Sequence, residues 1–246
     1  MSLIYEPRIF KRFQGVRAAM ALRGSAENPY GFNMSLSVGD DEERVRENRK
    51  RLAVRLGFRP ERLATQMQVH GDAIRMVSEG YVPCESDALI TPEPGWLLAV
   101  SVADCIPVLM YDAGNRVVAG VHSGWRGTER NISGATIATL EKEFGTRPED
   151  LFIYMGASAG QCCYEVGEDV ASAFNPRHSR ALGQGKYLFD NKGAVLEQLL
   201  AAGVPAAQIE LDARCTICDP ALHSYRRDGA RSGRMFGAIG LEPTNE

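Results

Sequence analysis

The sequence predicts an α+β protein, and three observations lead to this prediction. Short apolar, β-branched runs occur in clusters instead of alternating strictly with helical patterns, which favours an α+β arrangement over a doubly wound parallel sheet. A chain of 246 residues can bury a substantial core. No stretch has the composition of a linker, so we predict one domain over residues 1–246.

Two long segments have the apolar spacing and the end signals of helices. Residues 41–56 place apolar side chains on one face, with Asp40 or Asp41 able to cap the start. Residues 132–144 form a second apolar stripe, and a glycine follows each of these two segments. Shorter helices are predicted over residues 168–174 and 193–202.

The predicted strands are short apolar or alternating runs between turn residues. Residues 63–69 alternate, so we expect a strand that brings His70 to its end. The other predicted strands cover residues 87–91, 96–102, 108–112, 116–122, 151–155, 187–189, 209–211 and 235–241.

Composition excludes several classes of partner. The net charge of −3 gives no overall basic field for nucleic acid or acidic lipid. The N-terminus has no signal-peptide pattern, and the best apolar run, residues 96–102, is too short to cross a membrane. We therefore expect a cytoplasmic protein with no nucleic-acid or membrane partner, in which the six cysteines are reduced and some bind metal. The oligomeric state is not readable from the sequence.

Two histidines and a cysteine, each in its own short motif, are the strongest functional signal. His70 lies in QVHG, Cys105 in ADCIP and His122 in VHSGWRG. Any one of them alone is most often a packed or hydrogen-bonded residue. Together, two imidazoles and a thiolate form a zinc triad whose fourth tetrahedral position stays open, as in catalytic zinc sites. Asp104 either orients a ligand histidine or turns the chain.

A second group of cysteines competes for the metal assignment. Cys215 and Cys218 form a CxxC motif followed by His223, and the vicinal pair Cys162 and Cys163 lies upstream. We favour reduced thiols in a turn over a metal site. Because two vicinal sulfurs bind one metal only with strain, we expect at least one of that pair in the core.

Two arginine-containing segments are candidates for binding an anion. The sequence SGWRGT over residues 123–128 leads into a helix, and Arg126 either contacts phosphate there or is solvated or paired with Glu129. The sequence SYRRDG over residues 224–229 forms either a substrate loop or a structural loop with an Arg–Asp pair.

Taken together, the motifs resemble the YfiH-type family, which is also known as the laccase-domain, polyphenol oxidase or peptidoglycan editing factor family and as a class of purine nucleoside phosphorylases. The resemblance covers almost the whole chain. The matching segments are residues 33–36, 38–41, 47–49, 68–71, 87–88, 103–105, 122–128, 162–167, 224–229 and 233–235.

The resemblance implies a fold, a metal site and two activities. It implies a three-layer mixed α/β sandwich similar to the toxin-type cysteine deamidase fold. It implies a zinc site at His70, Cys105 and His122. It also implies phosphorolysis of adenosine, inosine and methylthioadenosine, together with adenosine deamination. Purine nucleosides and phosphate are then the expected partners, and Asn33, Arg49 and Arg126 are candidates for contacting phosphate or ribose.

Three other functions stay open at this point. The same residues would serve a hydrolase that edits a peptidoglycan precursor, with Cys105 as nucleophile and His122 as base, or a zinc hydrolase of the same kind. A copper-dependent polyphenol oxidase is disfavoured, because four histidines cannot build both a blue-copper centre and a multinuclear centre. Copper could still enter a His/Cys site in vitro, since the Irving–Williams order favours it. A non-catalytic metal-binding or partner protein is the third.

Overall fold

The computed structural model describes residues 3–24 and 30–243. The strands within these residues form three β-sheets. The strands are β1 (Ile4–Tyr5), β2 (Val16–Ala21), β3 (Leu63–Ala64), β4 (Ile74–Met76), β5 (Ala88–Thr91), β6 (Leu97–Val102), β7 (Ile106–Asp112), β8 (Val117–Ser123), β9 (Leu151–Met155), β10 (Glu165–Gly167), β11 (Ser179–Gly183), β12 (Lys186–Phe189), β13 (Ile209–Leu211) and β14 (Met235–Leu241). The helices are α1 (Glu42–Arg55), α2 (Trp125–Glu129), α3 (Ile132–Phe144), α4 (Glu168–Ala171), α5 (Asn191–Ala201) and α6 (Tyr225–Asp228).

The two larger sheets mix parallel and antiparallel pairs. One has the order β1-β2-β14-β6-β3 and the other the order β13-β9-β7-β8-β5-β4. Most neighbours are antiparallel, while β3–β6, β4–β5 and β9–β13 are parallel. A smaller antiparallel sheet has the order β10-β12-β11. This arrangement confirms the predicted α+β class.

Hydrophobic clusters separate four layers. The largest cluster joins β2, β6 and β14 to β7 and β8, so the two large sheets pack face to face. A second cluster lies between the six-stranded sheet and helices α3 and α5. A third lies between the five-stranded sheet and α1. The order of layers is therefore helix, sheet, sheet, helices, with the small sheet packed beside them on α4 and part of α5.

The expected three layers are thus a wrong prediction, because one face of the six-stranded sheet is covered by a second sheet, which carries its own helix α1. Every residue of β7 and β8 is buried. A strand that is apolar on both faces needs cover on both sides. In this protein one face of the six-stranded sheet is covered by helices and the other by a second sheet.

Most predicted elements are confirmed, and several match at both ends. Helix 132–144 and the strands 151–155, 209–211 and 235–241 coincide with the observed elements. The predicted helix 41–56 is α1, where Asp41 caps the start by accepting a hydrogen bond from the Arg44 N–H. The helix expected over residues 168–174 ends three residues early, at Ala171.

The expected strand 63–69 is largely wrong. Only Leu63 and Ala64 pair with a neighbouring strand, and His70 lies in a loop with φ of 58°. The pattern also missed β1, β2, β4, β10, β11, α2 and α6. Residues 1–2, 25–29 and 244–246 of the predicted single domain lie outside the described residues. Within those that are described, each helix is too short or too polar to span a lipid bilayer.

Candidate metal centre and substrate cavity

Three predicted ligands meet where two central strands approach a loop. Cys105 immediately precedes β7 and His122 lies near the end of β8, and the two strands are antiparallel partners. His70 joins them from the loop before β4. The ligand atoms of these three residues all lie within 4.8 Å of one another, and Cys105 Sγ is 3.9 Å from His70 Nε2.

The side chain that holds both histidines in place is Asp87. His122 donates its Nδ1–H to Asp87 Oδ1 at 2.7 Å. The same carboxylate accepts the backbone N–H of His70 at 3.1 Å and of Gly71 at 2.7 Å. Because a carboxylate only accepts hydrogen bonds, Nδ1 of His122 carries the proton and Nε2 is left for a metal.

Asp104, the other candidate for orienting a ligand histidine, bonds to the C-terminal loops instead of to either histidine. Its carboxylate accepts hydrogen bonds from Thr216 Oγ1 at 2.6 Å and from the Arg226 N–H at 2.7 Å. It therefore ties the Cys105 segment to the C-terminal loops. Asp87 is not among the predicted site residues, although it lies in a family-matching segment at the start of an apolar strand, where a buried carboxylate needs a partner.

The electrostatics of the site favour a thiolate. Burial opposes ionisation of Cys105, but the charge of His122 and hydrogen bonds from both imidazoles outweigh it and lower the pKa of the thiol. Burial likewise disfavours a charged His122, yet the Cys105 thiolate and Asp87 raise its pKa. The pKa of Asp87 is lowered, because its hydrogen bonds to His122 and Gly71 outweigh burial.

The geometry fits a tetrahedral metal ion. In a tetrahedral zinc site, a sulfur and a nitrogen ligand are about 3.6 Å apart, close to the 3.9 Å between Cys105 Sγ and His70 Nε2. Gly124 leaves room for this approach, because a Cβ there would lie 3.0 Å from Cys105 Sγ and 3.1 Å from His70 Cδ2. Three protein ligands leave one coordination position open.

The triad lines a cavity of about 860 Å³, a size typical of small-molecule sites. The lining includes four arginines with an aromatic ring beneath each guanidinium, and the pairs are Arg49–Phe236, Arg126–Trp125, Arg226–Tyr164 and Arg234–Tyr225. Asp104 is the single carboxylate of the described lining. The cavity is therefore cationic and offers aromatic faces.

The three predicted substrate contacts occupy different positions. Arg49 and Arg126 line the cavity. Burial lowers the pKa of Arg49 to about 10, so its guanidinium stays charged at neutral pH. Asn33 is fully buried and lies outside the lining. Its side chain accepts from the N–H groups of Ser35 and Arg234 and donates to the Ser35 carbonyl, so it holds two lining residues in place.

The loop at residues 224–229 lines the cavity and also carries the expected Arg–Asp pair. Tyr225 and Arg226 line the cavity. Arg227 is structural, because it pairs with Asp228 at 2.8 Å and donates to the carbonyls of Thr216 and Leu222. No local sequence signal places Arg226 and Arg234 beside Cys105, since more than 100 residues separate them from it.

The cysteine group outside the cavity corrects two expectations. The sulfur atoms of Cys162, Cys163, Cys215 and Cys218 all lie within 4.8 Å of one another. We expected at least one of the vicinal pair in the core, and this is wrong, because Cys162 is exposed and Cys163 is half-buried. His223 is not part of this group: it is fully buried, and neither ring nitrogen has a hydrogen-bond partner among the described residues.

Comparison with known proteins agrees with the motifs. The family model described as multi-copper polyphenol oxidoreductase laccase matches residues 17–242. A purine nucleoside phosphorylase of Bacteroides thetaiotaomicron is 39% identical, covering 88% of this chain and 87% of that protein. Adenosine deaminase RL5, from an unknown prokaryotic organism, is 34% identical, covering 93% and 95%. The crystal structure of the Bacillus licheniformis hypothetical protein YfiH superposes with a TM-score of 0.92 at 28% identity, covering 98% and 97%. The chain therefore belongs to the multi-copper polyphenol oxidoreductase laccase family, the YfiH-type family that its motifs predict.

Proposed function

We propose that the protein is a zinc-dependent purine nucleoside phosphorylase that acts on adenosine, inosine and methylthioadenosine and also deaminates adenosine. One observation carries the proposal: a His–Cys–His group that could hold a metal ion lies in the wall of a cavity lined by arginines and aromatic rings. Relatives named for both activities, at 39% and 34% identity over most of the chain, support it.

His70, Cys105 and His122 hold the metal in this proposal. Zinc bound there supplies Lewis-acid polarisation and lowers the pKa of water, which suits both departure of a purine and hydrolytic deamination. Asp87 keeps His122 in the tautomer that binds metal and fixes the backbone at His70. Copper can occupy the same His/Cys ligands in vitro, as the Irving–Williams order favours it.

The arginines bind and orient phosphate. Phosphorolysis joins a phosphate oxygen to the anomeric carbon of the nucleoside as the bond to the purine breaks and the purine leaves with a proton. Arg49 and Arg126 are the predicted contacts, and the lining adds Arg226 and Arg234. The Arg126 guanidinium has no hydrogen bond or ion pair within the described residues, so it is available to an anion. Fixed cations around phosphate supply orientation and charge stabilisation.

The aromatic rings of the lining bind the base. Trp125 and Tyr164 line the cavity, each with an arginine guanidinium over its ring, and a purine can pack against these arginine–aromatic pairs. Burial first, and then the nearby Cys105 charge, raises the pKa of Tyr164 to about 12. Its hydroxyl therefore remains protonated at neutral pH and can donate a hydrogen bond to substrate.

Product analysis with adenosine tests the proposal. Wild-type protein should give adenine and ribose 1-phosphate only when phosphate is present, and some inosine with or without phosphate. Cys105→Ala should give none of these products, because the triad loses its thiolate. Cys84→Ala is the matched control, as Cys84 is a cysteine outside both cysteine-containing groups, and it should retain both activities. Unchanged product formation by Cys105→Ala would contradict the metal assignment.

A second candidate function rests on a different use of the same side chains. Cys105, His122 and Asp87 form a chain of nucleophile, imidazole and orienting carboxylate, the pattern of a cysteine hydrolase. Such an enzyme would remove an amino acid wrongly added to a peptidoglycan precursor. It predicts that the His70–Cys105–His122 group holds no metal, and that the protein is inactivated by alkylation of Cys105 and is slow on nucleosides. Zinc that is lost in Cys105→Ala, together with phosphate-dependent release of base, excludes it.

A multi-copper oxidase is disfavoured by the number and placement of imidazoles. The chain has four histidines, and all four are described. Two belong to the triad, whereas His178 bonds Glu197 at 2.6 Å and His223 is buried elsewhere. A trinuclear copper centre beside a blue-copper centre needs more imidazoles than these.

A further inference from the structure

The structure points to a second metal site, and we propose that Cys162, Cys163, Cys215 and Cys218 together bind one zinc ion as a closed tetrathiolate. This site is separate from the His70–Cys105–His122 triad and does not depend on the proposed function. Four protein sulfurs fill all tetrahedral positions, which is the pattern of a structural zinc.

The distances between the sulfurs support a shared ion. Cys218 Sγ lies 3.6 Å from Cys162 Sγ and 3.1 Å from Cys163 Sγ. All four sulfurs are within 4.8 Å of one another. In a tetrahedral zinc tetrathiolate, sulfur atoms are about 3.8 Å apart, whereas a disulfide joins only two sulfurs at about 2.05 Å. A disulfide between two of these cysteines would not explain why the other two sulfur atoms also lie within 4.8 Å of them.

The sheet brings the two cysteine pairs together. Strands β9 and β13 are parallel and end side by side, with Met155 opposite Leu211. The segments that follow stay together, because the Thr216 N–H donates to the Ser158 carbonyl at 3.0 Å. Each segment then turns: the N–H of Cys163 donates to the carbonyl of Gly160, and the N–H of Asp219 donates to that of Cys215. Two facing turns thus present two sulfurs each. Both sulfurs of the vicinal pair Cys162 and Cys163 approach Cys218 Sγ, so the expected strain does not keep either of them out of the group.

The surroundings of Cys215 are those of a thiolate ligand. The Gly160 N–H donates a hydrogen bond to Cys215 Sγ at 3.2 Å. A Cβ at Gly160 would lie 3.2 Å from Cys215 Cβ and 3.4 Å from Cys162 Sγ, so the glycine permits the close approach of the two turns. Hydrophobic packing does not explain the group, because Cys162 and Cys218 are exposed whereas unliganded structural cysteines are mostly buried.

An ion bound by the four cysteines would stabilise one wall of the cavity. Thr216, inside the CxxC motif, donates to Asp104, the residue before Cys105. Tyr164, next to Cys163, lines the cavity. Arg227 donates to the carbonyls of Thr216, Ile217 and Asp219 and so wraps the same turn. Loss of the ion should loosen these contacts, lower the melting temperature and raise KM more than it lowers kcat.

Metal counting in purified protein tests the proposal. Wild type and the control Cys84→Ser should contain two zinc ions per chain, one for each candidate group, whereas Cys218→Ser and Cys105→Ala should each contain one. Cobalt substituted into Cys105→Ala should give the ligand-field and charge-transfer bands of tetrahedral thiolate coordination. A Cys105→Ala protein that binds no metal would overturn the proposal, whatever its activity.

Thiol reactivity gives a second measurement in the unmodified protein, which keeps the test valid even where Cys218→Ser does not fold. Bound thiolates should react slowly with a disulfide reagent and release zinc in parallel with the loss of four thiols. Immediate reaction of the exposed Cys162 and Cys218 without zinc release would overturn the proposal. Iron in place of zinc, or a disulfide between two of these cysteines found by mass spectrometry, would also overturn it.

Discussion

The two cysteine-containing groups of this protein differ in the partners that surround their sulfur atoms. At the triad, Cys105 shares its site with two imidazoles, one of which is backed by the buried carboxylate of Asp87. At the second group, four sulfurs face one another at the surface, and a backbone N–H is the partner of Cys215. A metal ion held by the triad would keep one coordination position open to the cavity, whereas an ion held by the four cysteines would keep none.

This difference teaches which of the two sites can do chemistry. A structural zinc needs four ligands and a backbone that holds them, and the two turns after β9 and β13 provide both. A catalytic zinc also needs a vacant position, a fixed ligand tautomer and a shaped cavity. In this protein those three features occur together only at His70, Cys105 and His122 among the described residues.

The largest effect is expected for Asp87→Asn. The amide can donate to His122 Nδ1, so it no longer fixes the proton there, and it removes the negative charge that supports the ligand. Loss of such an orienting carboxylate costs roughly 10- to 100-fold in metal affinity or activity. Metal titration and phosphorolysis assays should show this loss at the triad, while the metal of the four cysteines is retained.

Asp112→Asn is the matched control for this prediction. Asp112 is likewise a fully buried carboxylate on the same sheet, but it lies at the far end of β7 from Cys105. It accepts hydrogen bonds from the N–H groups of Gly114 and Asn115 and so shapes a turn. We expect it to lower the melting temperature without changing zinc affinity. Equal losses of zinc affinity in both variants would contradict the role given to Asp87.

Much of the fold was predictable because the central strands and long helices have strong local signals. Helix 132–144 shows both an apolar stripe and a terminal glycine, and β14 is a continuous apolar run. The failures have physical causes. Residues 65–69 alternate without pairing in a sheet, because Gln68 instead exchanges hydrogen bonds with the backbone of Ser101. The fourth layer was missed because apolar strands do not reveal whether a helix or a sheet covers them.

The candidate site was predictable in its ligands and much less so in its surroundings. His70, Cys105 and His122 each lie in a short motif that the sequence displays. Arg226 and Arg234 enter the cavity from the C-terminal end through contacts such as the Arg226 N–H to Asp104. Such long-range contacts have no local signature. Asn33 is a predicted substrate contact, and the structure places its buried side chain outside the lining of the cavity.

The next largest effect concerns His223, a buried histidine that belongs to neither group. His122 has Asp87 on its Nδ1, whereas His223 has no partner for either nitrogen within the described residues. Burial first, and then the positive charge of Arg23, lowers the pKa of His223 from 6.5 to about 3. As pH falls below 6.5, the unfolded state binds this proton before the folded state does, so stability falls with pH.

His223→Gln should remove this acid sensitivity. Between pH 7 and pH 5, the wild type should lose about 2 kcal/mol more unfolding free energy than the variant, from 1.36 kcal/mol per pH unit below 6.5. Denaturant unfolding of both proteins at the two pH values measures it, and any constant cost of the substitution cancels in the difference. Parallel pH dependence of the two proteins would show that another group is responsible.

The smallest expected effect comes from replacing the glycine that lies beside a cysteine sulfur in each group, and it distinguishes the two groups most directly. A Cβ at Gly124 would crowd Cys105 Sγ and His70, and a Cβ at Gly160 would crowd Cys215 and Cys162. Neither glycine has a positive φ, so alanine adds bulk without backbone strain.

Mild overpacking costs about 1 kcal/mol, or roughly fivefold in affinity. Gly124→Ala should weaken zinc binding at the triad and reduce activity, whereas Gly160→Ala should weaken only the tetrathiolate and lower the melting temperature. Competition with a chromophoric chelator resolves the two zinc ions, and loss of the same ion in both variants would mean that the two groups are not independent sites.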